Sequence, residues 1–248
     1  MADNFNTLLN QIKSKKKNIS CHINSFENEL SFEKLNIEQQ SKILDSYSDI
    51  PALANNAVYL VLKFNNTFNK IIRENLLDKN VELNVVDRAN IILMYRKEIG
   101  DKVLVDDNEI NINTILENNK LIKKIDLEKT FQSEDFTFKV KVPSLTNDIK
   151  VNNLLMKKIR ENPSKNDVLG EIYLYELLKF IDSIQIDEND AIILNKDNRN
   201  LDLLKNVEVS TLKPVLDYIE YVRSYEEKFV TVEGTSYKIY LTPELFII

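Results

Sequence analysis

The stretch that most constrains this chain is Asn84 to Gly100, NVVDRANIILMYRKEIG. It spells out both ends of a helix: an asparagine able to cap, Asp87 in the first turn, Arg96 and Lys97 in the last turn, and a glycine beyond them. Val85, Ala89, Ile92 and Arg96 fall on one side at helical spacing, and Val86, Leu93 and Met94 widen that side. A helix this apolar is buried on more than one face, which makes it the core helix of the N-terminal half. Gly100 stands where a left-handed residue closes many helices.

The other elements arrange themselves around it. Phe5, Leu8, Leu9 and Ile12 predict a short amphipathic helix over 3–13, and a polar segment follows to about residue 25. Leu30 and Phe32 alternate with polar neighbours, as in a strand or an extended arm. Asn36 caps the next helix with Gln39 as its capping-box partner, and Pro51 starts another, striped by Val61, Phe64, Phe68 and Ile71. Three helices on short links predict a compact bundle.

Beyond Gly100, VLV and EIN flank Asp106, Asp107 and Asn108 as a hairpin or loop, and Ile112 to Leu127 reads as helix and then loop. FTFKVKVP is the clearest strand: Phe136, Phe138, Val140 and Val142 face one way, and Pro143 stops it. Helices return with Val151, Leu154, Leu155 and Ile159, then over 167–184 with the stripe Leu174, Leu177, Ile181 and Ile184, then across 190–204. Ser210 or Thr211 caps a last helix with Pro214 in its first turn and Val215, Ile219 and Val222 on its face. Two alternating runs about Gly234 form a terminal hairpin, and Thr242 and Pro243 open a closing helical turn. The prediction is an α+β protein with three parts: a flexible segment over 1–25, a mainly helical bundle domain over 26–132, and an α+β domain over 133–248 ending in the hairpin. The two halves meet near 128–135.

The residue inventory excludes several chemistries. Gly100, Gly170 and Gly234 are the only glycines and lie far apart, so no glycine-rich phosphate loop exists. Cys21 is the sole cysteine and His22 the sole histidine. That rules out an intrachain disulfide and any multi-cysteine or multi-histidine metal site, and Cys21–His22 reads as an ordinary surface pair. Asp187, Glu188 and Asp190 lack the glycine and glutamate of a calcium loop and read as a helix start. No residue is marked as catalytic, cofactor-binding or metal-binding. The N-terminal run MADNFNTLLNQIKSKKK lacks the apolar core of a signal peptide, and no apolar run is long enough to span a membrane. With 33 basic against 39 acidic residues the net charge is −6, which argues against a nucleic-acid partner. Two other classes stay open. A continuous basic face around Lys139, Lys141, Lys157, Lys158 and Arg160 would mark a nucleic-acid module, and a pocket of shifted carboxylates would mark an enzyme.

Three regions carry a resemblance: FEKLNIEQQSKIL, VVDRANIILMYRKEIGDKV, and the C-terminal run from FKVKVPS through helices to TVEGTSYKIYLTPELF. In this order they resemble the T4-type baseplate hub assembly proteins of contractile-tailed phages, the hub subunit and hub assembly catalyst. The likeness runs over 26–248, with Asp87, Arg96 and Gly100 at the positions that match. Relatives carry a cysteine pair before the final hairpin; here that place reads Ser224, Tyr225, Glu226, Glu227, so any metal knuckle of theirs is lacking. The resemblance implies no enzymatic chemistry, "catalyst" there meaning promotion of assembly. It implies a chaperone-like factor or minor hub component that contacts baseplate hub or tail proteins in the host cytoplasm during assembly, or in the virion baseplate. Arg96 is the candidate partner contact, a planar five-donor group able to grip a carboxylate. The alternative for Asp87 and Arg96 is capping and surface charge.

Overall fold

The structure is a computed structural model that describes residues 7, 11, 17–23, 25, 28–47, 57–105, 108–119, 125–161, 168–194 and 199–247. The helix expected over 3–13 and the start at Pro51 lie outside the described residues, apart from residues 7 and 11.

The core helix forms as the sequence dictates. It is α3, Val85–Ile99, and every residue from Val85 to Tyr95 except Arg88 is buried. Asn84 and Asp87 close a capping box at its start. Before it come α1, Ile37–Leu44, with the Asn36–Gln39 box in place, and α2, Ala57–Asn75. Gly100 departs from expectation: its backbone is extended, with φ −174° and ψ 141°, rather than left-handed.

The expected N-terminal helical bundle is not what forms. Two antiparallel hairpins lie among the helices of this half: β1, Asn18–Ile23, with β2, Asn28–Glu33, and β3, Lys102–Val105, with β4, Asn108–Asn111. Ile19, Cys21 and Ile23 alternate with exposed Asn18, Ser20 and His22, so the polar stretch has one apolar face and lays it against α3. Helix α2 buries Asn66, Asn69 and Asn75, whose amides need polar partners on the elements packed against it. Asn75 exchanges amide hydrogen bonds with Gln39, and Asn66 and Asn69 bond to α5, Leu145–Glu161, from the other half of the chain.

After α4, Ile112–Asn118, a four-stranded antiparallel sheet runs in the order β5-β6-β7-β8. Its strands are Glu128–Ser133, Phe136–Lys141, Ile181–Ile186 and Ile192–Ile193. The helix expected to Ile184 ends instead at Phe180, as α6, Val168–Phe180, and the chain passes directly into β7. Phe138 pairs with Ile184 and Val140 with Ile181, so β7 carries an extra residue opposite Lys139 and Val140. This bulge turns Ile181 and Ile184, three apart, onto one buried face. Helical spacing and a bulged strand look alike at two positions. The span expected as one helix over 190–204 contains β8 and the short α7, Arg199–Lys205. The last helix, α8, Lys213–Glu226, takes Pro214 in its first turn, but its cap position is Leu212, and Thr211 bonds Glu134 instead.

The chain ends in hairpin β9, Lys228–Val232, with β10, Thr235–Ile239, and a 3-10 turn, Pro243–Phe246. Phe246 packs against Phe68 of α2 with ring centroids 5.1 Å apart, so the far end of the chain closes the core begun by β1. A smaller apolar cluster joins Leu93, Val103, Ile110 and Ile115 to Val230 and Ile239, seating the β3–β4 and β9–β10 hairpins on α3 and α4 together. Among the described residues no helix is long and apolar enough to cross a membrane.

Candidate functional site

Two places concentrate chemistry. The first is a chain of charges among α3, α5, α6 and α8, buried at its centre and exposed at its Arg223 end. Arg88 donates to Asp148 at 2.9 Å and to Glu226 at 2.7 Å. Lys179 reaches Asp148 at 2.9 Å and Glu176 at 2.7 Å, and Arg223 reaches Glu176 at 3.1 Å. Asn69 and Asn152 add amide donors to Asp148. Cations and carboxylates therefore alternate along Glu226, Arg88, Asp148, Lys179, Glu176, Arg223.

The charges are matched in number and in position. Burial works to raise the Asp148 carboxyl, but Lys179 and Arg88 outweigh it and hold the group at about 2. Burial likewise opposes the charge on Lys179 and Arg88, yet their carboxylate neighbours keep both above their ordinary values. Of the three carboxyls Glu226 alone is pushed up, by burial, against the pull of Arg88. A cavity of about 480 Å³ opens beside the chain, with Val58, Val61 and Ile172 on its apolar side. With each charge engaged, the arrangement acts as a fastener that fixes four helices in one register.

Asp87 is fully buried, not a surface charge. It accepts from Asn84 N at 3.1 Å, Ser25 N at 3.0 Å and Ser25 Oγ at 2.6 Å, pinning the β1–β2 connection to the start of α3. Cys21 is buried as well, which corrects the surface-pair reading, and burial followed by Asp87 pushes its thiol up to about 12. His22 is exposed on the opposite face of β1, so the two cannot act on one proton.

The second place is a cleft of about 630 Å³ between hairpins β3–β4 and β9–β10. Ile112 N donates to Asp101 O, which sets the ladder so that Lys102 and Leu104 turn their backbone groups away from β4. The β9–β10 turn has two residues, Glu233 and Gly234, at φ 49° and 84°. This primed turn makes Val232 and Thr235 a bonded pair, so Ser236 and Lys238 turn their backbone groups away from β9. Both outward edges line the cleft, and among the described residues no strand pairs with either. The other edge of this hairpin is closed: the Asn119 side chain donates to Phe229 O at 2.6 Å and accepts from Phe229 N at 3.0 Å, imitating a strand.

Arg96, the candidate partner contact, lies in this cleft. It donates to Gly100 O at 2.6 Å and Lys102 O at 2.8 Å, while its Nε is buried with no partner among the described residues. Leu104, Tyr240 and Ile247, which also line the cleft, are 66%, 71% and 61% exposed.

The sequence singled out Arg96 and Asp87 but missed Arg88, Asp148 and Lys179. A charged pair inside an apolar helix, Asp87 and Arg88, was the available signal. The basic residues considered for nucleic acid do not make an unopposed face. Lys139, Lys141 and Lys157 each have a carboxylate within 4.0 Å, and Arg160 bonds the Tyr59 hydroxyl. Comparison with family models, with curated proteins and with solved structures returns no match.

Proposed function

We propose that this chain is a non-enzymatic assembly protein that works by protein–protein contact, as a chaperone-like factor or minor component of a contractile-tail baseplate hub. The observation that carries the contact reading is the cleft between β3 and β10, where two edges that no described strand pairs with meet three exposed apolar side chains. Natural folds blunt such edges, and here the β9 edge is blunted by Asn119 while among the described residues no strand covers the β10 edge. The baseplate part of the proposal rests on the order of elements resembling the T4-type hub assembly proteins. Holding an aggregation-prone tail protein would stabilise it by mass action, rising with the logarithm of the affinity. On this reading the partners are hub or tail proteins, met in the host cytoplasm during assembly or in the virion baseplate. Deleting the gene from the phage and imaging lysates tests it. Incomplete tails are expected, and fully assembled contractile tails at wild-type yield would remove the baseplate role.

A further inference from the structure

We infer that the cleft takes an extended segment of a partner protein, which adds as a strand between β3 and β10 and sets a carboxylate on Arg96. The inference rests on the protein-contact reading above and specifies its partner chemistry.

Strand addition needs unpaired backbone donors and acceptors in alternation, and side-chain pockets beside them. The outward groups of Leu104 on one side and of Ser236 and Lys238 on the other supply the first. The exposed Leu104 and Tyr240 side chains supply apolar contact for alternate residues of the incoming segment. The edges are four and five residues long, so a short extended segment is enough to pair with them.

Charge complementarity selects the carboxylate. Arg96 places one N–H of each terminal nitrogen on a carbonyl oxygen, and among the described residues the second N–H of each has no partner. Among the described residues no carboxylate forms an ion pair with it. Glu244, which also lines the cleft, does not reach it, and the neighbouring Lys238 is already matched by Glu227. A carboxylate on the incoming segment, from Asp, Glu or a chain terminus, would meet a planar donor fork held in place from behind. A second copy of this chain would have to bring its own strand into the same cleft.

The test is selection of a random peptide display library on the full chain, followed by hydrogen exchange of the chain with and without the selected peptides. Expected are binders with alternating apolar residues and an acidic group at one register. Their binding should protect the Leu104, Ser236 and Lys238 amides, which are expected to exchange rapidly in the free protein because they point away from their own ladders. Arg96→Gln should weaken binding about tenfold, the loss of one charge-assisted contact. Leu104→Pro should weaken it comparably, since it removes an outward N–H and spares the β3–β4 ladder. Gly100→Ala, which moves the guanidinium and leaves every ladder bond in place, should weaken the acidic peptides more than versions with Asn or Gln at that register.

No enriched peptide, no acidic preference, or no protection of those amides overturns the inference. So does concentration-dependent protection in the free protein, which would make a second copy the occupant. The two readings separate cleanly. Peptide binding with normal tails after gene deletion removes the baseplate role alone. A tail defect fully rescued by a gene carrying both Arg96→Gln and Leu104→Pro removes strand addition alone.

Discussion

Arg96 reaches past the end of its own helix to Gly100, its Nη1 donating to the Gly100 carbonyl at 2.6 Å, and it fits there because residue 100 has no side chain. A Cβ on Gly100 would lie 2.9 Å from that same nitrogen. The glycine answers to a close approach, since its backbone angles suit any residue.

Gly100→Ala should therefore be nearly neutral for the fold, within about 0.5 kcal/mol, because only the tip of a flexible side chain has to move. It should free the carbonyls of Gly100 and Lys102 from Arg96. Urea denaturation checks the first expectation, and the guanidinium Nη–H signals of Arg96 check the second. A loss of several kcal/mol would mean that the helix end depends on glycine for another reason.

Asp148 is the hub of the buried charges, and removing it strands Lys179 and Arg88 without their shared partner. Asp148→Ala should cost about 3–5 kcal/mol by chemical denaturation. Glu38→Ala, which breaks an exposed pair with Lys42, should fall within the scatter of surface substitutions. The native Asp148 pKa lies near 2, below its unfolded value of about 4, so its contribution is complete above that unfolded value. It is lost as pH falls towards 2, and the Asp148→Ala difference should shrink over the same interval.

What could be read beforehand followed from local rules. The capping box at Asn36, the α3 helix, strand β6 and the Gly234 hairpin are each written in a few neighbouring residues. The misses required knowledge of distant partners. Strand β1 carries a period-two pattern, Ile19, Cys21, Ile23, but three apolar residues in polar surroundings gain meaning only once α3 lies beneath them. The bulge in β7 is defined against β6 and gave Ile181 and Ile184 a helical spacing. Arg88, Asp148 and Lys179 come together across 91 residues of sequence, with no motif to announce it. Arg96 entered as a candidate from the resemblance and from its five-donor side chain, and the strand edges around it had no signal in the sequence.

Asn119 should matter more to self-association than to the fold. Its side chain caps both backbone groups of Phe229 on the outer edge of β9. Asn119→Leu leaves those groups unpaired beside Phe229, which is itself 41% exposed. The Phe229 amide should then exchange faster, and sedimentation should show concentration-dependent association through the opened edge. Unchanged exchange at Phe229 would mean that the amide clasp does not persist in solution.

Lys228 gives the chain an alkaline signature. It is 1% exposed, its Nζ donates to Tyr225 O at 3.0 Å, and burial, opposed by Glu226 and Asp87, lowers it to about 8. Above that value the folded chain holds a neutral lysine while the unfolded chain still binds the proton, so stability should rise with pH. Cys21 acts in the opposite direction above its ordinary value of 9.0, because its thiol stays protonated in the fold up to about 12. The Lys228 contribution is therefore cleanest between about pH 8 and 9, where it adds at most ~1 kcal/mol. Lys228→Met keeps the length of the side chain and has no titrating group, so its stability should be flat over that unit. A wild-type curve that is equally flat would place the lysine charge in contact with water.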